Sequence, residues 1–206
     1  MYYSETQIKL LFNIRKTCME MLTDRGYTIP NVLENLSYED FRIMFNNKNI
    51  DLTISEENNK NDIYIFFQYD DSSFGKNELK KLVDTVFKKV GNEDVLIIIV
   101  LKDKPGNSIK KEVKNAKYNN TEIFERNHLK FNVSKHIYVP KHIPLTKEEG
   151  LEVMKKYNCE KHQLPGILIN DPQVKYHGMK IGDICKIVRT NKYNGYDIYY
   201  RIVRGS

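Results

Sequence analysis

Hydrophobic side chains in the first part of the chain recur at three- and four-residue steps in three places, a spacing typical of amphipathic helices. The first stretch covers residues 5–25 and is followed by Gly26, a residue that commonly ends helices. A shorter helix is predicted over 38–45, with Ser37 as its N-cap. The third stretch covers 78–90 and carries one apolar face. We therefore expect three helices before residue 91.

Between these helices the spacing changes to that of β-strands. Residues 50–54 alternate, and residues 62–69 are rich in aromatic and β-branched side chains. The two segments are predicted to pair as a hairpin across a polar turn at 56–61. The unbroken apolar run at 95–101 predicts a buried, central strand, and a further strand is expected at 121–125.

The segment between the last two strands is predicted to be a loop at 102–108, which contains Pro105-Gly106, followed by a helix at 109–117. Strands therefore alternate with helices along this part of the chain. That order is typical of an α/β module, which we expect to cover about the first 130 residues.

The last 70 residues have a different pattern. Pro140 and Pro144 predict an extended segment at 136–145, and Thr146 begins a helix that runs to about residue 157. The elements expected after it are a short strand at 167–169, a helical turn from Asp171-Pro172 to Gly178, and strands at 183–189 and 196–203 joined by an Asn194-Gly195 hairpin turn. This part of the chain is predicted to be a small α+β domain that ends in a hairpin.

Composition excludes several classes of protein. No apolar run approaches the roughly 18 residues that a membrane span needs, so no membrane partner is expected. The three cysteines, Cys18, Cys159 and Cys185, form no CxxC motif, which argues against a disulfide scaffold and a cysteine-based zinc site. The N-terminus lacks the order of a signal peptide. A reducing compartment is therefore expected.

The net charge of +6 is distributed unevenly along the 206 residues. Residues 136–206 contain twelve Lys and Arg against seven Asp and Glu, which is +5, and the first 135 residues carry only +1. Within the first part, residues 102–117 hold six lysines against Asp103 and Glu112. This local excess is a candidate phosphate-binding surface, and the alternative is a solvated helix face.

One segment carries a family resemblance. The residues His136-Ile137-Tyr138-Val139-Pro140-Lys141-His142-Ile143-Pro144-Leu145, followed by Glu148, resemble the signature of the fifth-subunit family of multisubunit DNA-dependent RNA polymerases, to which the archaeal H subunit is related. Tyr138 departs from the aliphatic residue usual there. Further motifs follow in the family's order: Gln163-Leu164-Pro165, Asp171-Pro172, Tyr176-x-Gly178, Gly182-Asp183, Lys186-Ile187-Val188-Arg189 and Tyr200-Arg201-Ile202-Val203.

Upstream, Asp24-Arg25-Gly26-Tyr27 and Leu36-Ser37-Tyr38-Glu39-Asp40-Phe41 resemble the eukaryotic type of N-terminal domain. The resemblance therefore covers nearly the whole chain and is closest over the last 70 residues. It implies a jaw domain of nuclease-like α/β topology at 1–133 and an α+β assembly domain at 134–206. The implied role is non-catalytic, with no cofactor and no metal.

The resemblance also implies partners and a location. The assembly domain is expected to dock on the largest polymerase subunit, beside other subunits, and the jaw to contact downstream double-stranded DNA without sequence preference. A homo-oligomer is not expected. The Asn-, Lys- and Ile-rich composition, with the short and diverged jaw, favours a giant DNA virus as the source. The expected location is then the virion and host cytoplasm, and otherwise the nucleus.

Two sets of candidate site residues follow from the resemblance and the charge pattern. The candidate DNA contacts are Lys104, Asn107, Ser108, Lys110 and Lys111. The candidate subunit-interface residues are His136, Val139, Pro140, His142, Leu164, Pro165, Asp171, Pro172, Tyr176, Gly178, Gly182, Arg189, Tyr200 and Arg201.

Other functions remain open from the residues alone. A metal-dependent nuclease needs an Asp and a following acid-x-Lys on neighbouring strands, whereas Glu78-x-Lys80 and Glu112-x-Lys114 fall on predicted helices. A free-standing DNA-binding protein would bind duplex tightly by itself.

His136 and His142 lack nearby partners for a zinc site. The tyrosines and phenylalanines of the strands are expected in the core and interface rather than in a base-stacking platform: Tyr64, Phe66, Tyr199 and Tyr200.

Overall fold

The structure is a computed structural model of the chain. It describes residues 3–55, 61–70, 72–193 and 195–205. The chain divides into two compact units, Met1–Phe131 and Asn132–Ser206, here called unit 1 and unit 2. Each contains a four-stranded sheet and helices, so the fold is mixed α/β. Two predicted turns, at 56–61 and at Asn194-Gly195, lie partly outside the described residues, because 56–60 and Asn194 are not described.

Unit 1 begins with the predicted amphipathic helix, α1 (Glu5–Asp24). Gly26 follows it with a φ of 86°, a left-handed conformation that glycine adopts without strain. The predicted short helix is α3 (Tyr38–Asn46), and the Ser37 hydroxyl caps it. Between them lies α2 (Asn31–Glu34), a single turn that was not predicted because four residues are too few to show a helical period.

Four strands form the sheet of unit 1 in the order β1-β2-β3-β4. They are β1 (Leu52–Ile54), β2 (Ile63–Phe67), β3 (Leu96–Leu101) and β4 (Thr121–Glu125). β1 is antiparallel to β2, whereas β2, β3 and β4 run parallel. Every residue of β3 is buried, and the strand has a neighbour on each side. The prediction of a central buried strand is confirmed.

Helices cover both faces of this sheet. On one face, α4 (Lys76–Val90) and α5 (Asn107–Glu112) pack in a single cluster with strand side chains, among them Ile97, Ile99 and Leu101. On the other face Ile98 is fully buried. Its neighbour in register, Glu122, forms a salt bridge with Arg25, directly after α1, so α1 ends on that side. The short α6 (Arg126–Leu129) follows β4.

The helix predicted at 109–117 differs from the observed α5 at both ends. It begins two residues earlier, at Asn107, because Gly106 adopts extended backbone and serves as the N-cap. It ends at Glu112, because the next N–H groups, of Lys114 and Asn115, bond to carbonyls three residues back and tighten the chain. A separate 3₁₀ turn follows.

Unit 2 is built around a second sheet of order β5-β7-β8-β6. Its strands are β5 (Lys141–Pro144), β6 (Gly166–Leu168), β7 (Ile184–Asn191) and β8 (Gly195–Arg204). β7 is antiparallel to both β5 and β8, and β6 is parallel to β8. The helices are the predicted α7 (Lys147–Tyr157), capped by Thr146, and α8 (Pro172–Tyr176).

The two helices of unit 2 lie on opposite faces of its sheet. Met154 of α7 packs against Ile184 and Ile202, whereas Val174 of α8 packs with Cys185 and its neighbours. Residues directly opposed across β7 and β8 share a face, so even-numbered residues of these strands lie on the α7 face and odd-numbered ones on the α8 face. Within the described residues, no helix is both long and apolar enough to cross a membrane.

Candidate functional site

A basic surface follows the central strand of unit 1, and we call it the basic segment. It consists of the five predicted DNA contacts, all of them exposed: Lys104, Asn107, Ser108, Lys110 and Lys111. Ile109 lies among them but is only 2% exposed and belongs to the core cluster of α4 and β3. Because Ile109 anchors α5 to that core, the polar side chains on either side of it face solvent.

The one acid within α5 is neutralised by another helix. Glu112 is buried, and its carboxylate oxygens lie 2.8 Å from Lys76 Nζ and 3.4 Å from Lys80 Nζ in α4. The hydrogen bond from Lys76 lowers the pKa of Glu112 below its ordinary value and raises that of Lys76. Further along, Lys117 pairs with Asp84 at 2.8 Å. Glu112 therefore does not offset the exposed lysines of the basic segment.

The segment predicted to be extended at 136–145 is extended only over β5. Before it the chain turns: the Val139 N–H donates to the His136 carbonyl at 2.9 Å, and the Tyr138 N–H donates to the His136 ring at 3.3 Å. The prediction of a continuous extended segment over 136–145 is therefore wrong, because the His136 ring and carbonyl stabilise a turn. His136 and Tyr138 are exposed.

His142 has a local structural role. Its Nδ1 lies 2.8 Å from the carbonyl oxygen of Pro140, so this ring nitrogen donates the hydrogen bond. In the described part of the chain, no group of three His, Cys, Asp or Glu could hold a metal ion. The acid-x-Lys pairs also lie off the strands: Glu78-x-Lys80 is within α4, and Glu112-x-Lys114 starts at the end of α5.

Several interface candidates stabilise unit 2 from inside. Leu164 is buried with the α7 cluster, and the buried Tyr176 accepts a hydrogen bond from the Asn132 side chain at 2.8 Å. Asp171 caps α8, because its carboxylate accepts the Gln173 N–H at 2.8 Å. Leu164 and Tyr176 therefore support the surface of the unit from inside, whereas Asp171 is half-buried.

Other candidates shape the backbone or lie on the surface. Gly178 and Gly182 have φ values of 63° and 92°, which explains glycine at both turns. Arg201 donates to the Gly166 carbonyl at 2.8 Å and so ties β8 to β6. The candidates that remain exposed or half-buried are His136, Val139, Pro140, His142, Pro165, Pro172, Arg189 and Tyr200.

The structure shows exposed apolar side chains on β8, of which the sequence analysis had named only Tyr199. Along β8 these are Tyr196, 63% exposed, and Ile198, 40% exposed; Tyr199 lies under the Arg189 guanidinium at 5.3 Å. The alternation of β8 was visible in the sequence. The extent of each neighbouring strand, which decides how much of β8 is covered, was not visible.

A shallow groove also lies within unit 2, beside α7. Its volume is about 340 Å³, and its lining includes Leu151 and Met154 of α7 together with Ile181. Lys147 and Lys161 line it as well. Leu151 and Ile181 are exposed, so this groove is a second apolar area with basic side chains around it.

Comparison with known proteins matches both units to one family. The model described as RNA polymerase Rpb5, N-terminal domain, matches residues 5–86, and the model for its C-terminal domain matches residues 131–203. The chain is 33% identical over 196 residues to the DNA-directed RNA polymerases I, II, and III subunit rpabc1 of Dictyostelium discoideum, covering 95% of this chain and 98% of that relative.

Two other relatives show how broad the similarity is. The chain is 29% identical to the DNA-directed RNA polymerases IV and V subunit 5B of Arabidopsis thaliana, over 92% of this chain and 87% of the relative. It is 49% identical over 71 residues to the DNA-directed RNA polymerase subunit Rpo5 of Nitrosopumilus maritimus, which is 34% of this chain and 86% of the relative. The chain therefore belongs to the RNA polymerase Rpb5 family, whose members are accessory, non-catalytic polymerase subunits.

Proposed function

We propose that this chain joins a DNA-directed RNA polymerase, that unit 2 docks on the largest subunit, and that unit 1 contacts the downstream duplex. The observation that carries the proposal is the match of nearly the whole chain to nearly the whole length of a polymerase subunit. Because both domain models match in order, both units have counterparts in that family.

The docking part is supported by the surface of unit 2. The far parts of β7 and β8 expose apolar side chains and a positive charge: Arg189 stacks on Tyr199 on the α8 face, and Ile198 is exposed on the α7 face. Exposed aromatic and Arg side chains are typical of the central contacts of protein interfaces. The +5 charge of residues 136–206 suits a partner surface that is acidic.

Docking is tested by removing unit 2. A chain that ends at residue 131 keeps all of unit 1. We expect the full chain to co-purify with the largest subunit and the shortened chain to be absent from it. Circular dichroism of the shortened chain checks that unit 1 is folded. Retention of a folded unit 1 by the polymerase would contradict docking through unit 2.

The DNA-contacting part is supported by the exposed lysines of the basic segment, which can neutralise phosphates without reading sequence. In the assembled polymerase, changing Lys110 and Lys111 to Glu should weaken crosslinking to downstream duplex. It should also reduce the salt dependence of binding by a slope of about 0.9 for each phosphate that is no longer neutralised. The matched control changes Lys9 and Lys16, exposed on α1, to Glu.

Unchanged crosslinking in the Lys110 and Lys111 variant, or an equal loss in the control, would show that the basic segment does not contact the downstream DNA. Tight binding of duplex by the free chain at physiological salt would favour a free-standing DNA-binding protein instead. Magnesium-dependent nicking would favour a nuclease. The location is a prediction that follows the polymerase: virion and host cytoplasm for a virus, and the nucleus otherwise.

A further inference from the structure

One side of β8 is an open sheet edge. β6 pairs with β8 only over residues 202–204, whereas β8 begins at Gly195. Residues 195–201 therefore pair with β7 on their inner side and, among the residues that the structure describes, with no strand on their outer side. This open edge is about as long as an average strand of a globular protein.

The backbone groups that face this open side can be identified from the bonds at its end. The Ile202 N–H donates outward, to the Pro165 carbonyl at 2.9 Å, whereas the Val203 N–H donates inward, to the Asp183 carbonyl at 2.9 Å. Backbone groups alternate between the two sides of a strand. The residues that present an N–H and a carbonyl to the open side are therefore Tyr196, Ile198 and Tyr200.

Proteins often prevent strand addition at an open edge with prolines or with free charged side chains. Residues 195–201 contain no proline, and their two charged side chains are both engaged: Asp197 accepts from an asparagine of β7, and Arg201 donates to a backbone carbonyl. Tyr196 and Ile198 instead present apolar surface on the α7 face, next to the open backbone groups.

Charge restricts what can pair here. The ionisable side chains on and beside the distal part of this sheet are mostly basic, and Asp197 is the acid among them. The basic residues are Lys141, Lys186, Arg189 and Lys192. A neutral or acidic strand is therefore favoured over a basic one.

We propose that the open edge of β8 is completed by an extended segment of the largest polymerase subunit, neutral or acidic, with apolar side chains against Tyr196 and Ile198. The proposal rests on the docking of unit 2 proposed above. Main-chain hydrogen bonds to residues 196, 198 and 200 supply the pairing, and the alternate side chains supply the choice of partner.

A proline at position 198 tests the main-chain bonds. Ile198→Pro removes the outward N–H but none of the bonds to β7, and proline is tolerated on an edge strand when its N–H would face solvent. Ile198→Thr is the control, because it keeps the N–H and the β-branched shape. With polymerase that lacks this subunit, we expect the proline variant to bind about tenfold or more weakly, and the threonine variant to lose less than about threefold.

Hydrogen exchange supplies a second measurement on the unchanged chain. The amides of 196, 198 and 200 should exchange quickly in the free chain and become protected in the polymerase, while those of 197, 199 and 201 are protected in both. In the free proline variant, the amide of Tyr199 should remain protected, which shows that the pairing of β7 with β8 survives.

The outcomes separate the two proposals. If the unchanged chain does not bind the polymerase, both fail. If it binds and the proline variant binds equally well, the added strand is overturned and docking stands. Equal losses in the proline and threonine variants would assign the contact to the side chain and also overturn the strand. If the free chain sediments as a dimer and becomes monomeric with Ile198→Pro, a second copy of the chain pairs with the open edge. That result would overturn the proposed partner.

Discussion

The sheets of units 1 and 2 differ in how completely the chain covers them. In unit 1, β3 has a parallel neighbour on each side and helices on both faces, and all six of its residues are buried. In unit 2, β8 has ten residues, but β6 pairs with only three of them. Unit 1 therefore has a closed core, whereas unit 2 leaves backbone groups of β8 unpaired by a second strand and apolar side chains exposed.

The two units also differ in net charge. Most of the net charge lies after residue 135, in the part with the incompletely covered sheet. Unit 1 is nearly neutral, yet it carries the basic segment, because Lys76 and Lys80 neutralise the buried acid of α5. The DNA contact proposed for unit 1 therefore rests on the placement of a few exposed lysines and not on net charge.

The largest expected effect compares one residue type in the two sheets. Ile98 in β3 is fully buried and Ile198 in β8 is 40% exposed. Ile98→Ala should lower the free energy of unfolding by about 3 kcal/mol, because it leaves a cavity in a closed core. Ile198→Ala should cost the free chain less than about 1 kcal/mol. Urea unfolding of both variants measures this, and similar losses would show that the sheets are equally covered.

A smaller effect is expected from a charge inside unit 1. Arg15 on α1 is buried, burial lowers its pKa, and within the described residues its Nε and Nη2 have no hydrogen-bond partner. Arg15→Met should raise the free energy of unfolding by about 1–2 kcal/mol, because it removes an unpaired buried charge but keeps the shape. The control is Arg25→Met, which breaks the pair with Glu122 and should destabilise. Destabilisation by both changes would contradict this account of Arg15.

Helix caps should contribute similar amounts to the stability of the two units, in contrast to their sheets. Ser4 and Thr146 each form a capping box at the start of a long helix, α1 and α7. Replacing either by Ala should cost about 1 kcal/mol. Thermal unfolding of the two variants checks this. A loss at Thr146 well above that at Ser4 would mean that unit 2 depends on its helices to compensate for its open sheet.

The smallest effect is a pH dependence in unit 1. Because Lys76 lowers the pKa of Glu112 in the folded chain, this acid stabilises the fold above its ordinary pKa, near 4.5, and the contribution is lost as pH falls through the lowered value. Glu112→Gln should therefore unfold more easily than the unchanged chain at pH 7 and approach it at acidic pH. If the difference in stability between Glu112→Gln and the unchanged chain stays constant from pH 7 to acidic pH, this role for Glu112 is refuted.

Periodicity predicted the elements that are long or fully buried, because these are governed by local patterns. α1, α4, α7 and β3 follow from the spacing of apolar residues. The turn at His136 could not be predicted this way, because it depends on a ring nitrogen that accepts a backbone N–H. The same holds for α2 and α6, which are single turns.

The candidate sites were predictable to different degrees. The exposure of Lys110 and Lys111 followed from their position around an apolar residue on a helix. The open edge of β8 could not be predicted, because it depends on the length of β6, a strand that is distant in sequence. Nor could the burial of Leu164 and Tyr176, which the family motif singled out without separating surface residues from the core that supports them.

The most direct test of the central claim is hydrogen exchange of the full chain, free and assembled into polymerase, read separately for the two sheets. We expect amides on the outer side of β8 to gain strong protection on assembly, while those of β3 are already protected and do not change. Protection gained only in unit 1, or no gain along β8 in a chain that has assembled, would contradict it.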